Sequence, residues 1–202
     1  MIVTKDASAI ASLLTGQPGS LVAYPTETFY GLGARIADHS ALNRLLRVKG
    51  RDATKGMIVL VSDLRMACSI ARISDPWKSI LEKFWPGPIS VVLYALDDVD
   101  PLIVSQGKIA LRISPLSLAT SLVELAGPIT STSANRSGEP PAQTAEEVAK
   151  QGLDTDAILD GGRTPGGKPS TLIDLTVWPP LCLREGAVPF QEIFGLISHV
   201  LS

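Results

Sequence analysis

The chain has 202 residues, enough for one domain or at most two small ones. Hydrophobic residues make up 45% and charged residues 19%, which excludes global disorder and supports a packed core. A formal net charge of −2 excludes bulk attraction to nucleic acid or an anionic membrane, and an aromatic share of 5% argues against rows of stacked bases, so any polyanion site must be local.

The start, Met-Ile-Val-Thr-Lys-Asp, has no basic segment followed by a long apolar one, so no secretory leader is expected. No apolar run approaches the roughly 20 residues that span a bilayer, so no membrane association is expected. The expected location is the cytoplasm, with reduced thiols. Two cysteines, Cys68 and Cys182, support neither a disulfide framework nor a four-cysteine zinc site. Their apolar neighbours predict that both pack in the core.

Residues 6–14 read as a short helix capped by Asp6 and closed by Gly16 and Pro18. Residues 21–24 form a short apolar strand ending at Pro25. Residues 40–48 carry Leu42, Leu45, Leu46 and Val48 at helical spacing, with Ser40 as the expected N-cap. Residues 57–61 are a buried-strand run. Ser62 and Asp63 open a helix to about residue 71, and residues 74–84 form another. Trp85-Pro-Gly-Pro88 stops that helix.

Strands follow at 89–96, 109–113 and 128–131, with a helix at 116–125 between the last two. Thr144-x-x-Glu147 is a capping box opening a helix over 144–150. Residues 157–159, 172–175 and 181–184 read as short strands and 190–201 as a closing helix. Interleaved helices and strands predict an α/β fold with a mixed or partly parallel sheet. No linker, repeat or low-complexity block divides the chain.

Three loops hold groups that could do chemistry. The first, Tyr24-Pro-Thr-Glu-Thr-Phe-Tyr-Gly-Leu-Gly33, puts two hydroxyls, a carboxylate and two glycines in one turn after a strand. It suits a small polar ligand, or is an ordinary strand-to-loop turn. In the second, Lys49-Gly-Arg51 with Lys55 nearby, a point charge and a planar fork could grip a polyphosphate. The same cations also suit a helix C-terminus and a solvated turn. The third, Ser131-Thr-Ser-Ala-Asn-Arg-Ser-Gly138, follows a strand with a dense cluster of hydroxyls and an amide, groups that can line a phosphate or amino-acid pocket.

A fourth stretch, Gly162 to Lys168, begins like a phosphate-binding P-loop, but Pro169 stands where the magnesium-binding Ser or Thr belongs and the next residues are β-rich. The P-loop reading is therefore rejected, leaving a basic, glycine-rich loop that could close over a ligand. His39 and His199 read as structural or surface residues, which disfavours histidine acid–base chemistry. Cations and hydroxyls suit positioning and charge neutralisation at a phosphate instead.

Taken in order, these loops resemble the YrdC/TsaC family of L-threonylcarbamoyladenylate synthases. The matching pieces also include Trp85-Pro-Gly-Pro88, Ala110-Leu-Arg-Ile113, Pro169-Ser-Thr171 with Asp174, and Leu183-Arg-x-Gly186. The similarity spans about residues 20–190, and the first and third loops are its most specific parts. It implies one α/β domain over residues 1–202, with a twisted mixed sheet flanked by helices and a concave, positively lined cavity. It also implies a nucleotidyl transfer in which L-threonine, bicarbonate and ATP give threonylcarbamoyl-AMP and pyrophosphate. That product would serve modification of the tRNA adenosine beside the anticodon, completed by separate transferase proteins.

By the same resemblance, Lys49 and Arg51 hold the ATP phosphates and act catalytically, while Ser133, Asn135 and Arg184 bind the nucleotide. Thr26, Arg112, Ser131 and Ser170 bind threonine, with Arg112 facing its carboxylate. Magnesium accompanies ATP without a protein cage of its own. Asp52 stands where the family usually has Pro after Lys-x-Arg, and the chain looks like the short form without a second C-terminal domain. Two other readings are open. One is an RNA-binding module using Arg47, Lys49, Arg51 and Lys55, and the other is a paralogue acting on a different carbamoyl or acyl adenylate.

Overall fold

The computed structural model describes residues 1–50, 56–136 and 138–201. In chain order the elements are β1 (Ile2–Thr4), α1 (Ala7–Gly16), β2 (Val22–Tyr24), β3 (Gly31–Gly33), α2 (His39–Lys49), β4 (Ile58–Leu60), α3 (Leu64–Cys68) and α4 (Asp75–Phe84). There follow β5 (Ile89–Tyr94), a 3₁₀ turn (Pro101–Ile103), β6 (Lys108–Arg112), α5 (Ser117–Ala126), β7 (Ile129–Ser133) and α6 (Ala145–Lys150). β8 (Ala157–Leu159), β9 (Thr171–Asp174), β10 (Leu181–Arg184) and α7 (Phe190–Leu201) complete the order. One mixed sheet carries the strands as β1-β8-β2-β3-β7-β4-β6-β5-β9-β10. The pairs β1–β8, β2–β8, β4–β6 and β5–β9 are parallel and the rest antiparallel.

Strand side chains alternate between the two faces, and two cores result. Leu21, Ala23, Val59 and Ile158 point to the larger one, where Leu42 and Leu45 of α2, Leu81 of α4, Val148 of α6 and Ile193 of α7 meet them. Val22, Tyr24, Leu60, Ala157 and Leu159 point the other way, beneath Ile10 and Leu14 of α1 and Leu122 of α5. Burying each such leucine stabilises the fold by roughly 1.5–3 kcal/mol. Among the described residues no helix is long and apolar enough to cross a membrane.

Most predicted elements form within two residues of their expected ends, and the differences have local causes. The N-cap of α2 is Asp38, not Ser40: its Oδ1 accepts the Ala41 N–H at 3.0 Å and its Oδ2 the Gly19 N–H at 2.7 Å. A carboxylate also meets the positive helix end better than a hydroxyl. The helix expected to reach residue 71 stops at Cys68, because the Arg72 N–H bonds to Tyr94 O and draws the chain to the sheet. The strands β1 and β3 and the 3₁₀ turn are additional to the sequence reading. Cys68 and Cys182 are half-buried rather than core residues, Cys182 because it lies on the edge strand β10. His39 is exposed and its Nδ1 lies 2.7 Å from Asp100.

Candidate functional site

Helices α1 and α5 cover only part of their sheet face. Beyond them the same face is open, and its inward positions there are Gly31 and Ser133, Ile58 and Ser131, and Ala110, which the register sets side by side. Small side chains at four of these five positions leave a cavity of about 440 Å³, within the usual range for ligand pockets. Its lining includes Thr26, Thr28, Arg112, Ser131, Ser133, Ser170 and Arg184, with Gly167 and Pro169 on one wall. Six of the nine residues expected at the site therefore share one cavity.

Glycine is dictated here by close packing. A Cβ on Gly33 would lie 2.7 Å from the Tyr24 ring and 2.8 Å from Thr130 O, so the motif's glycines let β3 fit between β2 and β7. The turn before β3 is closed by threonine. Both the N–H and the Oγ1 of Thr26 donate to Phe29 O, and Thr26 Oγ1 accepts the Thr28 N–H at 3.2 Å. Thr26 thus shapes the turn with most of its bonding capacity, and the Thr28 hydroxyl, which sequence reasoning missed, stands beside it on the lining.

Lys49 leaves the last turn of α2 just before Gly50, whose left-handed φ of 54° caps the helix. Its Nζ donates to Ser133 O at 2.9 Å, and to Asn135 O at 2.5 Å and Oδ1 at 3.2 Å. Asn135 in turn accepts from Ser133 Oγ at 2.5 Å and donates to Glu139 O. Lys49 and Asn135 therefore stand behind the Ser133 wall and brace it, outside the cavity lining. Arg51, Asp52 and Lys55 lie outside the described residues.

At the other end Arg184 comes from the edge strand. A register shift between Cys182 and Arg184 sets Arg184 opposite Leu172, which lines the cavity. Its Nη2 donates to Ser170 O at 2.9 Å and to Ser170 Oγ at 3.1 Å, and Ser170 Oγ lies 2.8 Å from Ser90 Oγ. Gly186 holds this hairpin down: a Cβ there would lie 2.1 Å from Pro169 O and 2.6 Å from the Ser170 carbonyl carbon. We expect Gly186→Ala to lower stability by about 1–3 kcal/mol in a denaturant melt, since backbone must move. It should also reduce ligand affinity at the cavity by displacing Arg184 and Ser170.

Arg112 is 4% exposed. Its Nη1 lies 3.2 Å from Glu27 Oε1, too poorly aligned for a hydrogen bond, and among the described residues neither Arg112 Nε nor Glu27 Oε1 has a hydrogen-bond partner. Glu27 Oε2 accepts from Ser114 Oγ at 2.5 Å. Glu27 was not singled out from sequence; the available signal was a carboxylate between two threonines in the first loop.

Two phenols stitch the walls. Tyr30 Oη donates to Gly162 O at 2.8 Å and accepts the Gly161 N–H, while the Gly166 N–H bonds to Thr28 O. The glycine-rich loop is thus tied to the first loop as a cavity wall. Burial pushes the Tyr30 phenol up to about 12, and burial likewise raises Tyr24, so both are neutral donors rather than acids.

Asp174, at the end of β9, is buried, which would raise its carboxyl. Donation from the Thr176 hydroxyl and N–H and from Lys108 Nζ at 3.0 Å outweighs that and holds it below the ordinary carboxylate range. A depressed folded-state value gives stability that is full above the unfolded value and lost as pH falls through the folded one. Melting temperature should therefore drop less steeply in acid for Asp174→Asn than for the unaltered chain.

Fold and site together define an α/β protein whose sheet face opens into a cavity lined by arginines and hydroxyls. The Sua5/YciO/YrdC family model, described as "Telomere recombination", matches residues 16–186. A threonylcarbamoyl-AMP synthase of Pyrococcus abyssi is 38% identical over 187 residues, covering 90% of this chain and 55% of that protein. One from Thiobacillus denitrificans is 36% identical over 160 residues, covering 78% of this chain and 85% of that protein. A crystal structure of P. abyssi Sua5 complexed with L-threonine superposes with a TM-score of 0.89 at 36% identity, over 97% of this chain and 60% of that one. The chain belongs to the Sua5/YciO/YrdC family, and it spans little more than half the length of its P. abyssi relative.

Proposed function

We propose that the protein is an L-threonylcarbamoyladenylate synthase, a nucleotidyltransferase that converts L-threonine, bicarbonate and ATP into threonylcarbamoyl-AMP and pyrophosphate. The observation that carries this reading is the meeting of Thr26, Arg112, Ser131, Ser133, Ser170 and Arg184 in one cavity. It is supported by 36% identity to a protein crystallised with L-threonine.

In this reading Arg112 takes the threonine carboxylate, with Thr26, Ser131 and Ser170 around the amino acid. The amine adds to bicarbonate with loss of water, and the resulting carbamate oxygen attacks the α-phosphorus of ATP. The bond from that phosphorus to the bridging oxygen breaks and pyrophosphate leaves. Lys49 and Arg51 offset the charge gathering on the leaving group. Ser133, Asn135 and Arg184 hold the nucleotide, Asn135 through its brace on Ser133. Magnesium would come with ATP as part of the substrate and would supply charge neutralisation at the phosphates.

The product is a mixed anhydride, suited to passing its threonylcarbamoyl group to the tRNA adenosine, with AMP leaving, through separate cytoplasmic transferase proteins. The test is pyrophosphate release from ATP by the purified chain. Release that requires both L-threonine and bicarbonate is expected. Release indifferent to both sinks the reading, and equal turnover with other amino acids favours the paralogue.

A further inference from the structure

One cavity receiving both a carboxylate and a polyphosphate must keep them apart, because an arginine attracts either. The Arg112 end has a feature suited to this. Its guanidinium is buried and lines the cavity, while the Glu27 carboxylate, 3.2 Å behind it, does not line it. Glu27 is itself held from the far side by Ser114, whose Oγ also accepts the Leu116 N–H at 3.2 Å just before α5. The pair is electrically neutral as a unit. Arg112 stands on the cavity lining with Glu27 off it, so the subsite offers the directional donation of a guanidinium with little net positive charge.

A singly charged carboxylate gains from that donation. A phosphate group brings more charge to the same place and feels Glu27 in proportion, while its larger hydration cost is not offset in a neutral pocket. We propose that Glu27 is the specificity-determining residue of this subsite: by cancelling the charge of Arg112 it makes the guanidinium accept an amino-acid carboxylate and turn away phosphate. The assignment rests on the amino-acid reading of the cavity given above.

The test compares L-threonine with its phosphonate analogue, in which a phosphonic acid replaces the carboxyl group, by calorimetric titration of the full chain and of Glu27→Gln. The unaltered chain should prefer threonine. In Glu27→Gln the ratio of the two dissociation constants should move at least tenfold toward the phosphonate, whichever way threonine affinity itself changes. An equal loss for both ligands, or an unchanged ratio, overturns the proposal, since mere damage to the pocket weakens the two alike.

If Glu27→Gln fails to fold, the unaltered chain still decides. Its affinity for the phosphonate, relative to threonine, should fall or hold as rising pH takes the ligand from mono- to dianion, and a rise overturns the proposal. Failure of the unaltered chain to bind threonine at all is a different result, which removes the amino-acid reading and this assignment with it.

Discussion

Replacing Lys49 with alanine is expected to reduce threonine-dependent pyrophosphate release by roughly 100-fold or more, the scale of losing a charged contact to a phosphoryl group in the transition state. Gly50 ends α2 at Lys49, so the side chain leaves the helix where β7 ends, against the carbonyls of Ser133 and Asn135. That brace and the proposed phosphate contact lie at the same wall. Helix propensity and core packing do not depend on the ammonium, so the melting temperature should fall by at most about 2–4 °C, the equivalent of roughly 1 kcal/mol in a domain of this size. Activity within fivefold of the unaltered chain would remove Lys49 from the phosphate site, and a collapse in melting temperature would show that its role is structural.

The second large effect is expected at Arg112. Arg112→Gln leaves the Glu27 carboxylate buried without its cation, and breaking such a pair typically costs about 3–5 kcal/mol. The cost is high because Glu27 is only 12% exposed and its Oε1, the oxygen facing Arg112, is buried, while its Oε2 is held by Ser114. The same change removes the proposed carboxylate partner, so threonine binding by calorimetry should be lost. Arg112→Lys separates the two effects. A lysine keeps the charge but not the planar fork, so it should recover most of the stability while threonine affinity stays at least about tenfold down. Full threonine affinity in Arg112→Lys would show that only the charge matters there.

Legibility in the sequence followed the strength of local signals. The helices α1, α4, α5 and α7 have apolar residues at helical spacing, and Asp6 and Thr144 cap α1 and α6 as expected. Strand β8 was bounded by residues 157–159, because a wholly buried apolar triplet leaves little choice of ends. β3 was not visible. Gly-Leu-Gly has low strand propensity, and only pairing with β2 and β7 makes it a strand. β1 was hidden for the opposite reason: it is a three-residue edge strand, largely exposed, with no buried face to set a period.

The site divides in the same way. Thr26, Ser131, Ser133, Ser170, Arg112 and Arg184 were legible as members of motifs, yet only the resemblance grouped them, because they come from five separate stretches of chain. Asn135 and Lys49 were read as ligand contacts; what the sequence did not show is that Lys49 reaches Ser133 and Asn135 through hydrogen bonds spanning 84 and 86 positions and that both brace Ser133. Glu27 was noted as a carboxylate of the first loop but given no role, because it gains its meaning here from a guanidinium 85 positions away in β6.

By itself, then, the sequence determined the α/β class, most helix starts and stops, and the chemical kind of the site, since capping, periodicity and side-chain type are local properties. Only the tertiary structure decided the strand order, the glycine-permitted entry of β3, the register shift that turns Arg184 toward the cavity, and the neutral pairing of Arg112 with Glu27. Each of those depends on which atoms meet across long separations in the chain, and close packing and charge burial reward such meetings only after the chain has folded.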